Sequence, residues 1–236
     1  MKDFYYYTFL KENNIISKNV LDLLKYELDK KVYLYGNHFR RSYECSSKIR
    51  FIFHLLIKII LSIKYSQNRN IRNGVIFNAP FYLSAQFEER GFNLITPEFY
   101  FGRKFKFIGN IKTLIKLELI KYDFINGDMY YLLGNSFENK ILSLRSDLRK
   151  YVVDNEIKAL FLSNDMAFLE KLFISIFREL KLPTFIYLHG IPTTYNNIDN
   201  NRADYLVVWS DKIKKTYVDI GVAREKIIVS GNPIYS

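Results

Sequence analysis

Cysteine is almost absent. Cys45 is the one cysteine in 236 residues, which excludes an intramolecular disulfide and any multi-cysteine zinc site. Histidine is scarce as well, and no two of His38, His54 and His189 have metal-ligand spacing. The ten glycines are never two positions apart, so the G-x-G-x-x-G dinucleotide fingerprint is missing. The G-x-x-x-x-G-K-[ST] phosphate loop and the G-x-S-x-G nucleophile elbow are missing too. These gaps weigh against an ordinary dehydrogenase, a P-loop kinase and an α/β-hydrolase. No two aspartates stand at i, i+2, so the Asp-x-Asp metal site of many nucleotide-sugar enzymes has no counterpart. The expectation is chemistry with no protein-bound metal and no cofactor. The longest apolar run, Phe51–Ile63, is interrupted by His54, Lys58 and Ser62. It falls short of the roughly 20 residues that span a bilayer. The first residues carry Asp3 and a short aromatic stretch, Phe4–Leu10, unlike a signal peptide. A cytoplasmic location is the default expectation.

What is present bounds the class. The hydrophobic fraction is 49%, enough for a sizeable core in one large domain, or one domain with an appendage. Aromatics make up 17%, as 20 Phe and 19 Tyr against one Trp. Together with abundant Asn and Lys and little Ala, this fits a bias of the kind AT-rich coding produces, and it carries no functional reading. The formal net charge is +11. That admits nucleic acid, an anionic membrane face or a phosphorylated substrate. Zinc-finger spacing and the aromatic-basic motif of RNA-recognition modules are both missing. A membrane surface or an anionic substrate is therefore favoured, and nucleic acid is not expected.

Residues 1–70 read as a mainly helical segment, with a helix near Lys18–Lys31, the run Val32–Tyr35, and the apolar stretch Arg50–Tyr65. A buried helix packed on a sheet is the simpler expectation for that stretch. A position in the membrane interface, with Arg50, Lys58 and Lys64 near the headgroups, is the alternative. Residues 71–230 change rhythm. Gly74–Asn78, Asn93–Thr96, Ala159–Leu162, Thr184–Leu188, Tyr205–Trp209 and Lys226–Val229 are short apolar runs. Helical patterns separate them, at Ile111–Tyr122, Ile141–Asn155, Met166–Leu180 and Asp211–Asp219. This alternation predicts βαβ units on a parallel, Rossmann-like α/β sheet with helices on both faces. Each run stops at small, polar or turn-forming residues: Asn78, Ser163-Asn164-Asp165, His189-Gly190, Ser210-Asp211 and Ser230-Gly231-Asn232-Pro233. In open parallel sheets ligands bind beyond the carboxyl ends of the strands, so these residues are the first site candidates.

The last quarter of the chain carries a resemblance. A strand ends in His189-Gly190, and Arg202-Ala203-Asp204 precedes the strand Tyr205–Trp209. Ser210 follows, then a helix closing at Gly221-Val222, and the strand Lys226–Val229 enters Gly231-Asn232-Pro233. In this order the features resemble the end of the N-terminal, acceptor-side domain of GT-B glycosyltransferases that build bacterial surface polysaccharides. His189-Gly190-Ile191-Pro192 is similar to the His-Gly-Thr-Pro of glycerophosphate and capsule polymerases, with Ile191 in place of Thr and Thr193-Thr194 where a basic residue is commoner.

The resemblance implies a nucleotide-sugar-dependent transferase of capsule or lipopolysaccharide synthesis. His189 would be the catalytic base, and Asn78, Asn164, Asp165, Gly190, Thr193, Ser210 and Asn232 would bind substrate. The partners would be a nucleotide-sugar donor and a saccharide or lipid-linked acceptor, with peripheral contact at the inner membrane face. Residues 231–236 would open an interdomain linker to a second domain beyond this sequence, so that the chain alone would be inactive. Two other readings stay open: a non-catalytic, membrane-recruiting half of a split transferase, and an unrelated Rossmann-like binding domain. Individual residues have structural readings as well. His189 could stiffen its turn, Asn164 and Asp165 could cap a helix beginning at Met166, and Ser210 could cap the next one. Arg202 could pair with an acceptor phosphate, but solvation or an ion pair with Asp204 or Asp199 is simpler.

Overall fold

The computed structural model describes residues 17, 20–28, 48–65, 73–78, 83–96, 106–107, 110–165, 167–187 and 203–231. The chain falls into two units. One combines Met1–Gln67 with Gly109–Tyr151, and the other combines Asn68–Ile108 with Val152–Ser236. Gly109–Tyr151, which the strand rhythm alone leaves within the sheet domain, thus groups with the N-terminal segment.

The second unit is the Rossmann-like sheet. Its strands are β1 (Gly74–Asn78), β2 (Asn93–Thr96), β3 (Lys106–Phe107), β4 (Ala159–Leu162), β5 (Thr184–Tyr187), β6 (Tyr205–Val208) and β7 (Ile227–Val229). Their order is β3-β2-β1-β4-β5-β6-β7, and every neighbouring pair is parallel. Strands covered on both faces need side chains that are apolar throughout. Val75, Ile76 and Phe77 are accordingly all buried. Boundaries shift slightly from expectation. β6 stops at Val208 rather than Trp209, and Lys226 closes a 3₁₀ turn, Arg224–Lys226, instead of opening β7. Leu188 lies outside the described residues. β3 carries no recognisable signal in the sequence, being two residues long.

Among the described residues, helix occurs at 20–28 (α1) and then at α2 (Lys48–Tyr65), α3 (Ser84–Glu89), α4 (Ile111–Asn126), α5 (Met129–Leu132), α6 (Asn135–Asp154), α7 (Phe168–Glu179) and α8 (Asp211–Asp219). Successive strand residues point to opposite faces, and this assigns the layers. Val75, Phe77, Leu94, Phe161, Tyr187 and Val207 form one apolar cluster with Leu83 and with Phe87 of α3. Val208, the neighbour of Val207, packs on the other face against Tyr217 and Ile213 of α8. Helices therefore cover both faces.

On the α3 face, aromatic rings stand in register across four strands. Phe77 pairs with Phe161, Phe161 with Phe185, and Phe185 with Tyr205. The Phe77 and Phe161 rings are stacked with centroids 5.8 Å apart, and those of Phe185 and Tyr205 with centroids 5.2 Å apart. Phe87 closes edge-on over Phe161 at 5.0 Å. Part of the aromatic excess that composition leaves unexplained is spent on this ladder. At the amino edge of the sheet, Asp204 is a structural residue. Its Oδ2 accepts from the Thr184 backbone N–H (3.0 Å) and from Thr184 Oγ1 (2.8 Å), and its own N–H donates to Thr184 Oγ1 (2.8 Å). This clamps the start of β5 to β6. Arg202 lies outside the described residues.

In the first unit, α2 and α4 meet through the Phe51 and Tyr122 rings, 4.5 Å apart. They also meet through Lys58 Nζ, 2.8 Å from Glu118 Oε2. Glu118 is buried, so Lys58 supplies the partner its charge requires. α4 is tied to α6 by Lys116, which binds Asp147 and Ser143 Oγ. Asp123 accepts from both Lys140 and Tyr131. Burial works against the charged form of Lys140, but the hydrogen bonds with Asp123 and Tyr131 outweigh it and hold its pKa above the usual lysine value.

The expectation that Arg50–Tyr65 is a buried helix is corrected here. Ile49, Ile52, Phe53, Leu56 and Ile60 of α2 are 52–82% exposed, because α4 packs against only one side of the helix. No described helix is long and apolar enough to cross a membrane.

The ladder generates a prediction. Replacing Phe161 with Ala removes the ring that touches Phe77, Phe87, Phe185 and Tyr187. It should cost about 3–5 kcal/mol of unfolding free energy, measured by urea denaturation. Phe53→Ala, on the exposed face of α2, should stay within about 0.5 kcal/mol of wild type.

Candidate functional site

Because every strand is parallel, all their carboxyl ends share one edge. The direction of winding reverses between β1 and β4: β2 and β3 lie on one side of β1, and β4 to β7 on the other. At such a switch point the connections leaving the two central strands turn apart and open a crevice. Asn78 ends β1 and pairs in register with Leu162, the end of β4. The Ser163 N–H donates to the Asn78 carbonyl at 2.8 Å, so the two strand ends are held side by side.

The Asn78 side chain is anchored from above. Its Nδ2 donates to Glu170 Oε1 at 3.0 Å. Glu170 is buried in the first turn of α7, where a carboxylate is favoured by the positive end of the helix dipole. Glu170 was not among the candidates that sequence reasoning produced, since its partner is 92 positions away. A local signal did exist: an acid in the first turn of the otherwise apolar helix FLEKLFISIF, directly after a strand end.

The remaining candidates divide. Asn164 and Asp165 stand next to Asn78 in the fold, on the connection leaving β4. The helix they were expected to cap starts later, at Phe168, with Ala167 as its N-cap and no side-chain cap bond. Asn164 Oδ1 accepts from the Ala167 N–H at 3.5 Å, the outer limit for such a bond. Ser210 behaves as a cap. Its Oγ accepts from Ile213 N–H at 3.4 Å at the start of α8. It lies at the end of β6, three strands from β1 and so roughly 14 Å away along the edge. Just before it, the indole N–H of Trp209 is buried with no hydrogen-bond partner among the described residues. After β7, the Ser230 N–H donates to the Val208 carbonyl at 2.9 Å. Gly231 then adopts φ +79, a left-handed turn that a side chain would strain. His189, Gly190, Thr193 and Asn232 lie outside the described residues.

The edge thus brings Asn78, Asn164 and Asp165 together, with Glu170 behind Asn78 and Ser210 further along. Such a row of two amides, a carboxylate and a hydroxyl is suited to hydrogen-bonding a polyhydroxylated ligand. Among the described residues no group of His, Cys, Asp and Glu is arranged to hold a metal ion. No protein-family model, curated protein or solved structure matches the chain.

The Asn78–Glu170 contact is testable by itself. Glu170→Ala leaves the half-buried Asn78 amide without its acceptor and should cost about 1–3 kcal/mol. Glu170→Gln keeps a carbonyl that can accept the same bond and should cost clearly less. Chemical denaturation of the two variants reads the difference, and equal losses would mean that the negative charge, not the hydrogen bond, matters.

Proposed function

We propose that this chain is the acceptor-binding, Rossmann-like half of a GT-B glycosyltransferase, acting in capsule, lipopolysaccharide or related surface-polysaccharide synthesis. Two independent features support the reading, one of the structure and one of the sequence. The parallel sheet presents Asn78, Asn164, Asp165 and Ser210 at its carboxyl ends. In the sequence, the His189-Gly190-Ile191-Pro192 motif begins two residues after the end of β5, the strand that lies between β4 and β6.

In this reading the edge residues bind the hydroxyls of a saccharide acceptor. His189 takes the proton of the attacking hydroxyl, a role suited to an imidazole that titrates near neutral pH. The acceptor oxygen forms a bond to the anomeric carbon of the nucleotide sugar as the bond from that carbon to the diphosphate breaks, and the nucleoside diphosphate departs with both bonding electrons. In the family that the sequence resembles, the donor is held mainly by a second Rossmann-like domain, so turnover is tested with such a domain present. The domain would work in the cytoplasm, at the inner membrane face, on an acceptor carried by lipid.

Two measurements test this. In an enzyme that also contains the donor-binding domain, His189→Ala should lower turnover by about 10²–10⁴ while leaving the melting temperature unchanged. A variant that melts early but retains normal turnover in its folded fraction would make His189 structural. Titration of this chain with oligosaccharide acceptors, followed by amide resonances, should shift Asn78, Asn164 and Asp165 together. Shifts confined to other surfaces would remove the crevice from the reading.

A further inference from the structure

Helix α2 presents two faces of unlike surroundings. One is held by α4 through Phe51 and Lys58. On the other, Ile49, Ile52, Phe53, Leu56 and Ile60 all lie within about 60° of one line along the helix, given 100° per residue. All five are more than half exposed. Isolated apolar side chains on a surface are ordinary, but a continuous stripe of five large ones marks a contact surface.

The charge of α2 and of the sequence that flanks it selects the partner. α2 contains no acidic residue. Residues 30–72 contain ten Lys or Arg and a single acidic residue, Glu44, so this segment carries +9 of the chain's formal +11. Lys48 and Arg50, both exposed, are the immediate neighbours of Ile49 and fall about 100° to either side of it. A second copy of the chain would set this basic segment against itself, at a cost in like-charge repulsion. Nucleic acid would satisfy the charge but leave the aliphatic stripe uncovered. An anionic bilayer satisfies both, its acyl boundary taking the apolar face and its headgroups the flanking cations.

We infer that the exposed face of α2 docks this protein in the plane of an anionic lipid surface. The helix is 18 residues long, about 27 Å at 1.5 Å per residue, and lies on the membrane rather than across it. This inference rests on the helix face and its charge, not on the transfer chemistry proposed above, and lipid binding reads it without any turnover.

The experiment is co-sedimentation of the full chain with phosphatidylglycerol-rich vesicles and with pure phosphatidylcholine vesicles. Binding should be at least about tenfold stronger to the anionic vesicles and should weaken as salt is added. Replacing Phe53 and Leu56 together with Gln should reduce it by at least about tenfold, with an unchanged melting temperature. If that pair disturbs folding, Ile49→Gln with Ile60→Gln, at the two ends of the stripe, makes the same test. Absence of vesicle binding, equal binding to both vesicle types, or full binding by a folded double variant would each overturn the proposal. So would a wild-type dimer that the same substitutions dissociate, which would give the face to a second copy.

Discussion

The pairing of β1 with β4 is the constraint on which the sheet unit depends. These strands are separated in sequence by β2, β3 and four helices, so a long loop must be closed before any contact between them forms. Phe77 stacked on Phe161, with Phe87 over both, provides much of the contact that offsets this. Once the two strands lie side by side, β2 extends the sheet one way and β5 the other. That reversal makes the ends of β1 and β4 the topological switch point of the sheet. Asn78 meets Ser163 and Glu170 because the aromatic ladder has set the register one residue earlier.

The two edges of the sheet are built differently. At the amino edge, Thr184 and Asp204 exhaust one another through three short hydrogen bonds, which suits a residue pair whose work is to hold two strands in phase. At the carboxyl edge, the polar groups come from three separate strand ends, each with its own support. Ser210 caps α8, Asn164 accepts from Ala167, and Asn78 is held by the first turn of α7. Rigid supports with polar tips are the arrangement that preorganises a binding site while leaving room for a ligand.

The first unit poses a different energetic question. Burying a large apolar side chain is worth about 1.5–3 kcal/mol, and α2 forgoes that for five residues along one stripe. What it keeps is a two-sided helix: one side joined to α4 by an aromatic pair and by the ion pair of Lys58 with buried Glu118, the other apolar with Lys48 and Arg50 at its amino-terminal end. Elsewhere in the same unit, Lys116 pairs with Asp147 and Lys140 with Asp123.

The strands were legible in the sequence because a strand buried on both faces must be apolar along its whole length, and its stop must be polar or flexible. Gly74–Asn78, Ala159–Leu162 and Tyr205–Val208 announce themselves in that way, and Ser210 announces its cap because capping acts over three residues. The late start of α7 was not legible, since Asn164 and Asp165 are as suitable for capping as any residues in the chain. Nor was the Asn78–Glu170 bond, which links positions 92 apart and exists only because two strands pair. In α2, sequence alone determined a helix with an apolar stripe on one face, Arg50, His54, Lys58 and Ser62 at four-residue spacing on the other, and too short a run to span a bilayer. Which face would be covered was decided by the tertiary structure: burial of the apolar face is the ordinary outcome, but α4 packs against the side that carries Phe51 and Lys58 and leaves the apolar stripe exposed.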